Sequence, residues 1–345
     1  MKYLSTFSGI GGFELGITQA YENTRMEHTT RQMDTVPVGQ ETLNSAGMGD
    51  SHPNGSSVRA DEDKPTCIGF SEIDRYATQI YQQHFPDHKN YGDITKIIAE
   101  DLPDFDLLVG GFPCQSFSIA GKRGGFEDTR GTMFFELARI LRAKQPRLFV
   151  FENVKGLLSH NNGNTFRTII STLTELGYDL QWQVLNSKNH GVPQNRERVF
   201  IVGHLRGTSR PQVFPFLGTD EKDTRNCGED LSYALDANYH KGTNTLEKNR
   251  RQVILHNTYG GFNEKKARVF ENESPTIRTS AGGAHLPSVS DGEMVRRLTL
   301  VECERLQGFP DGWTEGVSDT QRYKCCGNAV TVNVVRDVCE RLLQS

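Results

Sequence analysis

The sequence predicts an α/β protein: a doubly wound, Rossmann-like sheet accompanied by a second, smaller domain. Two observations carry this. Short apolar runs alternate with stretches of helical period through the first 205 residues, and the chain then turns rich in Gly, Asn, Pro and charge before a helical pattern resumes near its end. At 345 residues the chain also exceeds the roughly 100–150 residues usual for one domain.

The elements follow in order. A strand over Tyr3 to Phe7 leads to helical spacing from Phe13 to Tyr21, and a strand over Cys67 to Ser71 to a helix over Arg75 to His84. A strand at Leu107 to Gly110 precedes a helix near Thr132 to Lys144, and one at Leu148 to Glu152 precedes a helix near Thr165 to Leu176. Strands near Leu180 to Leu185 and Val199 to Gly203 close the series. Glu22 to Pro65, polar and without sustained apolar period, is expected to be a flexible surface insertion. Helical spacing returns at Thr299 to Leu306 and at Val330 to Leu343, where Val330, Val334, Val335, Val338 and Leu342 share a face and should pack on the large domain. The expected division is a large domain over 1–205 completed by 320–345, a small domain over 206–300, and a connection over 301–319.

Composition excludes several classes. No apolar run approaches the ~20 residues that span a bilayer, and the N-terminus enters a motif at once, so neither membrane segment nor signal peptide is expected and the protein should be cytoplasmic. Seven scattered cysteines without a Cys-x-x-Cys argue against disulfides and structural zinc. His84 and His88 have metal-like spacing, but Pro86 between them breaks the helix that would aim both at one ion, so no metal is expected. The net charge of −4 does not suit a nonspecific polyanion binder. Basic excess is local: Lys241, Lys248, Arg250, Arg251, Lys265, Lys266 and Arg268 face only Glu247 and Glu264, a run that fits either a solvated face or nucleic-acid contact.

Several strand ends carry chemistry. Phe7-Ser8-Gly9-Ile10-Gly11-Gly12 is a tight glycine turn that lets the backbone approach a nucleotide-like ligand. Glu14 replaces the third glycine of a dinucleotide fingerprint and should bring negative charge toward a pyrophosphate, so a ligand without phosphate, such as S-adenosylmethionine, fits better. Glu72 and Asp93 end the next strands, as ribose acceptors or as ordinary solvated carboxylates. Cys114, after a strand and Pro113 and opening a Gly-rich loop, is placed like a reactive thiol rather than a buried structural cysteine. Arg196 and Arg198 alternate around Glu197, so in a strand they should share a face.

Together the glycine turn, Pro113-Cys114-Gln115, Glu152-Asn153-Val154, Gln194-Asn195-Arg196-Glu197-Arg198 and Gly327-Asn328-Ala329-Val330 resemble, in order, the motif set of the cytosine-C5 DNA methyltransferase family. Arg297 to Pro310 is similar to a further block of it. The resemblance implies an S-adenosylmethionine-dependent enzyme that flips a cytosine out of double-stranded DNA. Cys114 would then attack C6, since C5 alone is a poor nucleophile, and Glu152 would contact N3 and the exocyclic amine. Arg198 would lie near the cytosine carbonyl and Arg196 near the thiol and a phosphate. For the cofactor it implies Phe7, Gly9, Gly11, Glu72, Ile73, Asp93, Ile94, Pro113, Asn328 and Ala329. For DNA it implies Ser118, Lys122 and Arg130 on phosphates, and Thr276, Arg278, Gly282 and Gly283 in a recognition loop, with Tyr239, His240 and Lys241 as further candidates. A monomer is expected, serving restriction-modification or DNA protection beside a cognate restriction endonuclease. Transfer RNA as substrate, or an inactive DNA-binding regulator of the same fold, are the alternatives; a nicotinamide oxidoreductase fails on the glycine pattern.

Overall fold

The computed structural model describes residues 1–34, 64–113, 133–216, 253–256, 268–270, 273–277, 288–290 and 295–344. The alternating pattern becomes β1 (Lys2–Thr6), α1 (Gly12–Asp34), β2 (Thr66–Ser71), α2 (Arg75–His84), β3 (Leu107–Gly111), α3 (Met133–Lys144), β4 (Leu148–Val154), α4 (Asn164–Glu175) and β5 (Tyr178–Asn186). Two strands, β6 (Gln194–Asn195) and β7 (Glu197–Leu205), follow, and the six-stranded sheet runs β2-β1-β3-β4-β7-β5. The chain reverses direction across the sheet between β1 and β3, which places a crevice at the carboxyl ends of those strands.

Each parallel crossover is made by a helix, and apolar cores lie on both faces. Leu4, Leu108, Phe149, Phe151 and Ile201 meet α3 and α4 on one; Tyr3, Val109, Val150 and Val202 meet α1 and the last helix on the other. β7 pairs antiparallel with both β4 and β5, a reversal the sequence did not reveal. The link from β5 to β7 contains only a 3-10 turn and β6, too little for a parallel crossover, so the strand returns beside its predecessor.

The predicted insertion begins too early. Helix α1 continues to Asp34, and Thr24 donates its hydroxyl to the Ala20 carbonyl inside it. Residues 18–34 hold neither Gly nor Pro, so their polarity marks where the helix leaves the core, not where it ends.

After β7, residues 211–216 lie against β5 without forming a strand. Gln181 accepts the N–H groups of Val213 and Phe214, and Gln183 that of Phe216. Arg341 donates to the Val213 and Pro215 carbonyls and lies over the Phe216 ring. Strands β8 (Val253–His256), β9 (Arg268–Phe270), β11 (Ser288–Ser290) and β12 (Val295–Arg297) form a separate antiparallel sheet in the order β12-β11-β8-β9. β10 (Ser274–Pro275) instead joins β6. Helices α5 (Leu300–Leu306), α6 (Asp319–Asn328) and α7 (Val332–Leu343) complete the chain. A capping box of Thr299 and Glu302 starts α5, and Val334, Val335, Val338 and Leu342 of α7 are buried as predicted. No helix among the described residues is long and apolar enough to cross a membrane.

Candidate active site

Strand register brings the predicted motifs to one edge. Thr6 pairs with Gly110, Gly111 with Glu152, and Val154 with Arg198, so the end of β3 lies between the glycine turn after β1 and the carboxylate of β4. Glycine is required at 110 by this closeness: a Cβ there would stand 2.3 Å from Thr6 Oγ1.

The turn after β1 is built from left-handed backbone, with φ of 51° at Phe7, 56° at Gly9 and 90° at Gly11. Phe7 holds this conformation without being glycine, an uncommon backbone state for a bulky side chain. Gly9 donates its N–H to Glu72 Oε2 at 2.9 Å, while Glu72 Oε1 accepts from the amides of Ile73 and Asp74. A carboxylate has about four acceptor positions, so Glu72 keeps one for a hydroxyl group. Beside it Ile73 is 77% exposed, a large apolar side chain left to solvent at a strand end. Asp93 accepts from the Thr95 hydroxyl and amide, bonds that hold its carboxyl below its ordinary range. Ile94 is different: its side chain is buried in the core and is not open to a ligand. A cleft of about 630 Å³ opens beside Glu72 and Ile73, but it extends over the outer face of α2, and no other predicted cofactor residue lines it.

Glu14 does not face the turn. It is fully buried and accepts from the Tyr81 hydroxyl at 2.9 Å; burial pushes its carboxyl up to about 7, partly offset by hydrogen bonds from Ser5 and Tyr81. The expected repulsion of a pyrophosphate by this side chain therefore fails, because the first turn of α1 directs it into the protein.

At the β4 end, Glu152 Oε1 meets Arg198 Nε at 3.0 Å, both side chains largely buried. Glu197 points elsewhere, to Lys155 Nζ at 2.8 Å. Arg196 sits at the break between β6, which ends at Asn195, and β7, which begins at Glu197, yet it still lies beside Arg198 while Glu197 turns away. Arg196 is 2% exposed and donates to the carbonyls of Ile277, Gly327 and Ala329. Burial, with Arg198 beside it, pushes its guanidinium down to about 9, so it stays charged at neutral pH. Asn328 is exposed at the end of α6 and Ala329 is buried. The Thr276 hydroxyl is engaged by the Asn195 carbonyl.

Cys114, Ser118, Lys122, Arg130, Tyr239, His240, Lys241, Arg278, Gly282 and Gly283 lie outside the described residues; Pro113, the last described before Cys114, is exposed. The contacts that support the site were not marked by the motifs. Asn153 Nδ2 donates to the Phe112 carbonyl at 2.7 Å and fixes the approach to Pro113. Trp313 Nε1 donates to the Ile10 carbonyl within the glycine turn, and Lys324 meets Asp74 at 2.6 Å. The sequence signal for Asn153 was its place beside Glu152 in the Glu152-Asn153-Val154 motif, where its buried amide needs a partner. His84 and His88 pack on Trp313 and Phe85, and no metal-binding cluster occurs among the described residues.

A doubly wound sheet with a glycine turn and a carboxylate–guanidinium pair at neighbouring strand ends is the architecture of a Rossmann-like methyltransferase. Its solved likenesses include a Dnmt2 methyltransferase of S. pombe, at a TM-score of 0.62 and 19% identity, covering 100% of this chain and 98% of that one. Residues 54–344 match the C-5 cytosine-specific DNA methylase family, and the chain belongs to it. Among its relatives are the type II methyltransferases M.NlaX of Neisseria lactamica, 34% identical over 99% of this chain and 96% of that one, and M.NgoBI of Neisseria gonorrhoeae, 41% identical over 80% and 87%. M.HhaI of Haemophilus parahaemolyticus is 36% identical over 78% and 85%.

Proposed function

We propose that this protein is a DNA (cytosine-5-)-methyltransferase of the restriction-modification type, acting on a cytosine turned out of duplex DNA. Family membership and the type II relatives carry the activity. The observation that best supports the site is the register that sets Gly111, three residues before Cys114, opposite Glu152 and beside the glycine turn.

The fit to S-adenosylmethionine rests on the left-handed turn at Phe7 to Gly11, the remaining acceptor of Glu72 and the exposed Ile73. Glu72 would hold the ribose, Ile73 and Asp93 the adenine end, and Asn328 with Ala329 the methionine end. When bound, the cofactor supplies an electrophilic methyl group.

Cys114 would add to C6 of the pyrimidine, making C5 electron-rich enough to accept that methyl, and would be eliminated once the C5 proton leaves. Glu152 would hold N3 and the exocyclic amine as charge builds on the ring. Arg198, already on Glu152, would exchange part of that pairing for the cytosine carbonyl. Ser118, Lys122 and Arg130 would hold phosphates, and the region over 206–300 would read sequence.

Incubation with tritiated S-adenosylmethionine and either unmethylated duplex DNA or total transfer RNA tests this reading. Label should enter 5-methylcytosine of DNA at a limited set of sites; labelling of RNA alone would overturn it. Bisulfite sequencing of the product would identify the site.

A further inference from the structure

Gln194, Asn195 and Arg196 together grip one short piece of chain. Ser274 and Pro275 run parallel to Gln194 and Asn195. Gln194 Oε1 accepts the Ile277 amide at 3.2 Å while its Nε2 donates to the Leu306 carbonyl at 2.7 Å. The Thr276 hydroxyl donates to the Asn195 carbonyl, Asn195 Nδ2 donates to Glu273, and Arg196 Nη1 donates to the Ile277 carbonyl at 3.2 Å. Ile277 itself is buried against Leu298, Cys303, Leu306 and Cys326. Most of these bonds reach main chain, so the segment is held in one register. It leads directly into Arg278 to Gly283, the stretch that resembles a recognition loop.

The same guanidinium reaches the other way. Its Nη2 donates to the Ala329 carbonyl at 2.7 Å and to that of Gly327 at 3.3 Å, on either side of Asn328. These carbonyls end α6, where the helix dipole favours a cation. A rigid, planar fork thus spans the stem of the target loop and the turn assigned to the methionine end of the cofactor.

We propose that Arg196 is a positioning residue that couples engagement of target DNA to cofactor binding. The inference rests on the reading given under Proposed function. A shift of the stem moves the Ile277 carbonyl against the fork. The Gly327 and Ala329 carbonyls must then follow, or a buried charge loses partners it cannot replace with water. Coupling of this kind is reciprocal, so bound DNA tightens the cofactor site by the factor by which bound cofactor tightens DNA.

The test measures the dissociation constant of S-adenosylhomocysteine for the full chain by calorimetry, alone and with saturating unmethylated genomic duplex fragments. DNA should tighten binding about fivefold or more in the natural protein, and less than about twofold in Arg196→Met. Arg196→Lys should recover part of the ratio, since an ammonium meets some of the carbonyls without the fork. An unchanged ratio in Arg196→Met overturns the proposal, even if affinity falls equally with and without DNA, as a purely structural role would produce. So does the absence of tightening in the natural protein. If Arg196→Met does not fold by circular dichroism, Gln194→Leu, which releases the Ile277 amide and the Leu306 carbonyl and leaves the fork, must lower the ratio for the proposal to stand. A natural protein that is folded but binds no S-adenosylhomocysteine would fail the cofactor reading instead.

Discussion

The two ends of the site are held by different means. Around β1 and β2 the main chain does the holding: three backbone amides converge on Glu72, and left-handed turns shape the approach. Around β4 and β7 the side chains hold each other, Glu152 on Arg198. An end fixed by backbone is ready before its ligand arrives. An end fixed by a charge pair must share that pair when a ligand enters, so its partners are chosen for chemistry.

The sharpest way to break this contrast is at the thiol. Cys114→Ser should lower turnover at least about 10³-fold, because the nucleophile is lost and binding is not. Calorimetry with S-adenosylhomocysteine should give an affinity close to that of the natural protein; retained turnover would refute the covalent route. Glu152→Gln comes next, with a fall in kcat of about 10²–10³-fold, the usual effect of removing a group aimed at developing charge. Single-turnover methylation measures it, and a change confined to KM would reassign Glu152 to binding alone. Glu72→Ala should act at the other end, weakening cofactor binding about tenfold through the orphaned Gly9, Ile73 and Asp74 amides. Its kcat at saturating cofactor should change little, and a loss in kcat instead would merge the two ends.

The smallest effect concerns the buried acid beneath the glycine turn. In the folded protein the Glu14 carboxyl is pushed from its ordinary 4.5 up to about 7, so the group favours folding most below about pH 4.5, and that contribution is lost as pH rises through about 7. Glu14→Gln should therefore gain in Tm relative to the natural protein by a few degrees on going from pH 5 to pH 8. Equal differences at both pH values would mean that Glu14 is not protonated in the fold.

The sheet was legible because burial on both faces leaves unbroken apolar runs at β3 and in the first part of β4, while the helices between the strands keep one apolar stripe. Direction was not, since β7 carries the same apolar pattern whether it runs parallel or antiparallel. Motif order placed Glu152 and Arg198 at one strand edge, and the register agrees. Alternation separated Glu197, which turns to Lys155, from Arg196 and Arg198, which lie side by side, but it left no mark of the strand break at Arg196. The expectation for Glu14 did not hold: a helix start resembles a ligand-facing turn in sequence, and only packing against Tyr81 turns the side chain inward.

The chain departs from the large sheet at Phe216, secured by Gln183 and Arg341, and returns at Glu273, secured by Asn195 and Lys188. With both anchor points set by the body of the protein, the intervening stretch closes a fixed gap, and lengthening such a stretch twofold costs only about 0.6 kcal/mol in closure entropy. On the reading proposed above, the part of the sequence-reading region that lies between these anchors can vary in length and sequence while the sheet that carries Glu72 and Glu152 stays unchanged.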